Sequence, residues 1–126
     1  MSSKRVGAWR LGPVSVSLYL RQGINAEFTT GRNEGECPRI TLGADYEYWH
    51  EIVNCLLHES MEMTYTLLDV RYVSSLDYAS DNGHNFFAMD HTKMSEACGW
   101  VGGYLAFALP ELSKAWKQWR RDHAKA

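Results

Sequence analysis

Apolar and polar residues alternate one by one through the first third of the chain and recur every three to four positions through the rest. Val14-Ser15-Val16-Ser17-Leu18-Tyr19-Leu20-Arg21 alternates throughout, the pattern of a strand with one packed and one wetter face. Gly12-Pro13 separates it from Val6–Leu11, which predicts a hairpin. Gly23-Ile24-Asn25 marks a turn into a short strand over Ala26–Thr30. A polar loop, residues 31–38, leads to a fourth strand, Arg39-Ile40-Thr41-Leu42, closed by Gly43. Short connections between such strands predict a small antiparallel sheet of three or four strands.

From Asp45 to about Leu68 the period becomes helical. Asp45 is the expected N-cap, and Glu47 adds negative charge in the first turn. At about 100° per residue, Trp49, Ile52, Val53, Leu56, Leu57, Met61, Met63, Leu67 and Leu68 share one broad apolar arc, with Ser60 and Thr64 as small exceptions inside it. Glu51, Asn54, His58 and Glu62 fall opposite, with Tyr65 beside them. Residues 70–90 are less regular: Asp81-Asn82-Gly83-His84-Asn85 reads as a turn, and Phe86-Phe87-Ala88-Met89 as a short buried segment. A second helix is expected from Asp90–Thr92 to about Ala108. In it Gly99, Gly102 and Gly103 offer a thin side for close approach of another backbone. Pro110 suits the first turn of a third helix, striped by Leu112, Trp116 and Trp119. Strands precede helices, so the expected fold is α+β: one domain, residues 1–126, with the sheet packed by a long central helix and a C-terminal helical pair.

Composition adds limits. A chain of 126 residues with 45% hydrophobic positions can bury one core without disulfide staples. Five Trp and seven Tyr supply anchors for that core or for a contact surface. The formal charge of -2 offers no overall field for nonspecific nucleic-acid binding, so no nucleic-acid partner is expected. Cationic residues gather at the end, in Lys114, Lys117, Arg120, Arg121 and Lys125, where they complement a helix dipole. The three cysteines, Cys37, Cys55 and Cys98, form no CxxC pair, which argues against a disulfide framework or a cysteine zinc knuckle. The N-terminus has no apolar run of signal type, and Ala97–Pro110 is too short to cross a bilayer. A cytoplasmic protein with no membrane partner is expected.

One constellation carries chemistry. His58 and Glu62, four apart on a helix, project from one face, where an imidazole and a carboxylate can reach the same divalent metal. Glu59, next to the first of them, suits a general base for water at that metal. A third ligand must come from elsewhere; His91, after Asp90 at the next helix start, is the better source and His84 the weaker. Thr41-Leu42 in a strand, a short linker and Leu56-Leu57-His58-Glu59 on a helix together resemble minimal zincin-like metallopeptidases, over roughly Ile40 to His91. That resemblance implies a zinc cofactor, with His58 as ligand, Glu59 as base, Glu62 in the place of a second ligand and His91 as the third. The chain departs from the family at a ligand, reading His-Glu-x-x-Glu where zincins have His-Glu-x-x-His.

Each feature also has a plainer reading. A His and two Glu are ordinary content for a solvated helix face. His50 reads as a packing or surface histidine. Cys55 and Cys98, among apolar helical neighbours, read as inert buried thiols, and the pairing of Cys98 with His91 as nucleophile and base has no spacing that demands it. The glycines near Gly99 lack the Lys-Ser/Thr of a phosphate loop. Trp116 and Trp119 with Arg120 and Arg121 form either a partner-binding tail or core aromatics before a basic terminus. Two functions of different class follow. One is a divalent-metal-binding, zincin-like domain, active as a small metal-dependent hydrolase on a peptide substrate or an inactive relative. The other is a protein-binding module, such as a small phage-encoded regulator or inhibitor, acting on an unknown protein partner.

Overall fold

Gly12, at φ 60°, occupies the left-handed region open to glycine and reverses the chain between β1 (Ser3–Leu11) and β2 (Val14–Arg21). The two strands pair antiparallel in the hairpin expected from Gly12-Pro13, with a register shift between Arg5 and Gly7. The computed structural model describes residues 3–31, 35–73 and 85–124. After β2 the chain crosses to the far edge of the sheet as β3 (Glu27–Thr29), then returns to its middle as β4 (Arg39–Gly43), giving the order β1-β2-β4-β3. β4 pairs antiparallel with β3 but parallel with β2, so the sheet is mixed, not antiparallel throughout. Alternation reports which face of a strand is buried, not which neighbour it takes. On that buried face Val16, Leu18 and Leu20 of β2 lie beside Ile40 and Leu42 of β4, all without solvent exposure.

The first helix, α1, spans Trp49–Leu67, starting four residues after the expected cap. Asp45 is occupied elsewhere: its carboxylate accepts from the Gly23 amide at 2.6 Å and from Trp119 Nε1 at 3.1 Å. Tyr48 takes the N-cap position without a side-chain bond. The helix closes with Asp69 at φ 59° and paired bonds from Val70 N to Tyr65 O and Asp69 N to Thr66 O, a Schellman ending built on Asp in place of Gly. Its inward face comprises Ile52, Leu56, Glu59, Ser60, Met63 and Thr64. Leu57, placed in the apolar arc by periodicity, is exposed, and Val53 and Met61 are half-buried. The true core stripe is therefore rotated away from the arc's Leu57–Met61 side.

The second helix, α2, runs unbroken over His91–His123, capped by Asp90, whose carboxylate accepts from the Lys93 amide at 2.9 Å. The expected C-terminal helical pair is thus one helix with Pro110 inside it. Proline removes one backbone donor there, but Pro110 and Ala106, whose carbonyl loses that donor, both face water. The opposite side carries Ala97, Val101, Tyr104, Ala108, Leu112, Trp116 and Trp119 into the core at spacings of three and four, and this continuous stripe holds the helix through the proline. Three hydrogen bonds tie it to the strands and their exit: Tyr104 Oη to the Val16 carbonyl at 3.1 Å, Trp116 Nε1 to the Ala44 carbonyl at 3.0 Å, and Trp119 Nε1 to Asp45. Trp116 and Trp119 are therefore core anchors, with the Arg120 guanidinium 4.8 Å over the Trp116 ring.

Between the helices, β5 (Arg71–Val73) pairs antiparallel with β6 (Asn85–Phe87), a second small sheet that the irregular sequence did not suggest. The turn anticipated at residues 81–84, His84 included, lies outside the described residues, as do the side chains of Phe86 and Phe87. A Cβ built at Gly99, Gly102 or Gly103 meets nothing within 4 Å, so among the described residues no backbone approaches the thin side of α2. Cys98 is exposed and Cys55 half-buried, against the expectation of two buried thiols. No helix among the described residues is long and apolar enough to cross a membrane.

Candidate metal centre

The helical repeat sets His58 and Glu62 one turn apart on α1, and the structure brings His58 Nε2 to 2.8 Å from Glu62 Oε2. The imidazole is the outer partner, with its side chain 67% exposed, and the Glu62 carboxylate is more sheltered at 21%. Glu59 turns about 100° further round the helix and points inward. It is 8% exposed, on the same side as Ile52 and Met63. This overturns the picture of His58, Glu59 and Glu62 together on a solvated face. One ligand atom from each of the three lies within 4.8 Å of the others. Both carboxylates take part in further polar contacts.

These separations can be weighed against a metal's demands. Bonds of about 2.1 Å in tetrahedral array put donor atoms roughly 3.4 Å apart. The His58–Glu62 contact is shorter than that, and the span of the whole group somewhat longer. An ion between them would replace the ion pair by rotations of side chains on a fixed helix. One imidazole and two carboxylates form a mixed donor set, suited to zinc and also to iron or manganese. The chemistry such a set supports is Lewis acidity at an ion that keeps positions open for water or substrate.

His91, expected as the third ligand, is the first residue of α2, exposed, and does not belong to this group. Glu59 takes its place among the three converging groups. The residue reads as a base by analogy and as a ligand candidate by position. The sequence signal that distinguishes these roles is its phase: Glu59 is seven residues after Ile52 and four before Met63, in register with the core stripe.

A half-buried pair lies one turn before Glu59. Cys55 Sγ donates to Tyr46 Oη at 3.1 Å, and the phenol donates to the Ile24 carbonyl. The Cys55 hydrogen bond, burial and the electrostatic influence of Cys55 and Glu51 push the Tyr46 pKa up to about 12, so the phenol stays neutral over the physiological range. His50 is exposed and stacks on Tyr48 at 5.8 Å between ring centroids, the surface role anticipated for it.

Beside the triad, α1 and α2 enclose an apolar groove of about 450 Å³. Leu57, Met61 and Tyr65 line one wall; Met94, Cys98 and Val101 are on the other. His58 and Glu62 each follow a groove residue, Leu57 and Met61, on the neighbouring stripe of α1. Gly102 of α2 also lines this groove. The chain matches no protein-family model, no curated protein and no solved structure.

Proposed function

We propose that the protein binds a divalent metal ion on α1 through His58 and Glu62, with Glu59 as the third group, and acts as a small metal-dependent hydrolase. The observation that carries this reading is the convergence of the three ligand atoms within 4.8 Å on one helix. The bland alternative, a helical ion pair four residues apart, accounts for His58 and Glu62, since such pairs are common and worth about 0.3–0.5 kcal/mol. It does not account for a third group, the Glu59 carboxylate, converging beside them from the core face of the same helix. The ion would supply Lewis acidity. His58 and Glu62 would hold it, Glu59 would ligate it or accept a proton from water, and the groove would seat an apolar substrate side chain.

The test is elemental analysis of purified, untagged protein after dialysis against zinc or manganese. Near-stoichiometric metal in the wild type, lost in His58→Ala and in Glu62→Ala, supports the site; undiminished metal in both variants, or none in the wild type, sinks it. Glu59→Gln then separates the two roles. As a ligand its change releases the metal, whereas as a base it leaves the metal bound and removes any hydrolytic activity.

A second reading has its own observation. Leu57, Met94 and Phe107 are exposed at 38%, 53% and 65%, and the first two flank the groove. Such a patch fits a protein-binding module that inserts an apolar side chain between α1 and α2. Loss of partner association in Met94→Asp, with metal content unchanged, would favour it over the metal reading.

A further inference from the structure

The sheet face turned away from the helices carries a second candidate site, unrelated to the triad. Register places Arg5 beside Tyr19, Tyr19 beside Thr41, and Thr41 beside Glu27, one row across all four strands. Arg21 lies two residues beyond Tyr19 on β2, and Arg39 two residues before Thr41 on β4, so both share this face. Ser3, Tyr19, Arg21, Glu27, Arg39 and Thr41 enclose a recess of about 390 Å³. A smaller recess of about 210 Å³ adjoins it and shares Glu27, Arg39 and Thr41.

Two of these groups lack partners among the described residues. Thr41 is 7% exposed and lines both recesses, yet its hydroxyl makes no hydrogen bond to any described residue. A buried hydroxyl without a partner is uncommon in native proteins, and it points here at open space. The Arg39 guanidinium beside it has no carboxylate partner among the described residues, whereas Arg21 is paired with Glu27 at 3.1 Å. Glu36, the other acid near this face, accepts from Thr29 at the β3 edge. The face thus combines an unpaired fork of five donors, a buried hydroxyl and an aromatic ring, within a chain whose overall charge is -2.

We infer that this face binds a phosphate monoester carried on a planar ring, as in a nucleoside monophosphate, free or at the 5′ end of a strand. The phosphate belongs at the Arg39–Thr41 junction, where both recesses meet and where several donors reach one group. A carboxylate would be satisfied by the guanidinium alone, while a phosphate has further oxygens for Thr41 and Ser3. The ring lies over Tyr19, and Glu27, an acceptor only, selects ring systems that bear amino or imino hydrogens. The absence of an overall positive field does not oppose this, because a single phosphate is held by local donors and not by the net charge.

The experiment is isothermal titration calorimetry of the full chain with 5′-GMP, 5′-AMP, guanosine, inorganic phosphate and two versions of one decanucleotide, with and without a 5′ phosphate. Saturable binding of a monophosphate or of the 5′-phosphorylated strand, at least tenfold tighter than guanosine or the unphosphorylated strand, supports the site; which of the two binds identifies the source. Arg39→Ala and Thr41→Val should each weaken it by roughly tenfold or more, with circular dichroism unchanged. No saturable binding of any phosphorylated probe up to 5 mM, or equal affinity in both variants, overturns it. Binding to an acidic peptide alone overturns it as well.

Discussion

Replacing Tyr104 by Phe tests how α2 is fastened to the sheet, at neutral and at alkaline pH. Tyr104 is wholly buried, and its hydroxyl donates to the Val16 carbonyl at 3.1 Å. Its ring meets Trp9 edge-on, with centroids 6.0 Å apart, and Phe preserves that contact. The loss is therefore one buried hydrogen bond, about 1–2 kcal/mol at pH 7. Burial raises the phenol's pKa above its ordinary value of 10.0, while the unfolded chain titrates near that value. A raised folded pKa means that the contribution is complete below about pH 10 and fades as the pH climbs toward the folded value. At pH 11 the unfolded state gains about 1.4 kcal/mol from ionising this residue, and the Phe variant gains nothing. Groups common to both proteins cancel in the comparison. The gap between wild type and variant should thus narrow from about 1–2 kcal/mol at pH 7 to near zero at pH 11. Urea denaturation followed by tryptophan fluorescence at pH 7, 9, 10 and 11 measures it. Equal stability at pH 7, or a gap that persists unchanged through pH 11, would refute the reasoning.

Other outcomes follow from the same packing. In Gly43→Ala the new Cβ would stand 2.5 Å from the Gly23 carbonyl oxygen and from Ile24 Cα, both main chain. A loss of at least about 2 kcal/mol, or failure to fold, is expected in thermal melts, and a variant as stable as the wild type would show that the 23–24 turn yields easily. A chromogenic thiol reagent should react at once with the exposed Cys37 and Cys98 and slowly with Cys55, whose Sγ is bonded to Tyr46, while denaturant releases all three. Three fast thiols in the native protein would contradict that arrangement. His58→Ala removes a mostly exposed partner and should change stability by less than about 0.5 kcal/mol in a urea melt while abolishing metal binding. A large stability loss without metal present would assign His58 to the fold instead.

What could be read in the sequence divides along a physical line. Local signals gave the strands, the Gly12-Pro13 hairpin, the Asp90 start of α2 and the inward stripe of Leu112, Trp116 and Trp119, because alternation and helical phase act over a few residues. The parallel partnership of β2 and β4 was not legible, because it depends on β3 taking the far edge, which no residue of β2 or β4 records. Asp45 looked like a cap because Asp caps helices; its carboxylate was claimed by Gly23 and by Trp119, 74 residues away in sequence. Pro110 looked like a break because proline usually is one. The cost is small where the orphaned carbonyl faces water and both flanks are anchored by buried aromatic and aliphatic side chains. At the triad, the four-residue spacing announced His58 with Glu62, whereas His91 was a histidine at the next helix start, and no local pattern ties that position to α1. The role of Glu59 as a third converging group required knowing which side of α1 faces inward.

The buried polar side chains sharpen that last point. Among the described residues Thr41, Glu59, Ser60 and Thr64 are the polar groups withdrawn from solvent. Two of them settle within their own helix: Ser60 donates to the Leu57 carbonyl at 3.1 Å and Thr64 to the Ser60 carbonyl at 2.7 Å. Such back-bonding satisfies a hydroxyl cheaply, so these residues are compatible with a core and carry no further message. A carboxylate cannot be satisfied by carbonyls, and Glu59 must meet donors or a cation from outside its own turn. Thr41 sits on a strand paired on both sides, and its hydroxyl finds no partner among the described residues. For stability alone, Leu at Glu59 and Val at Thr41 would serve as well or better. Thr41, whose hydroxyl has no partner among the described residues, borders the arginine-lined recess, which is where a requirement other than folding would leave its trace.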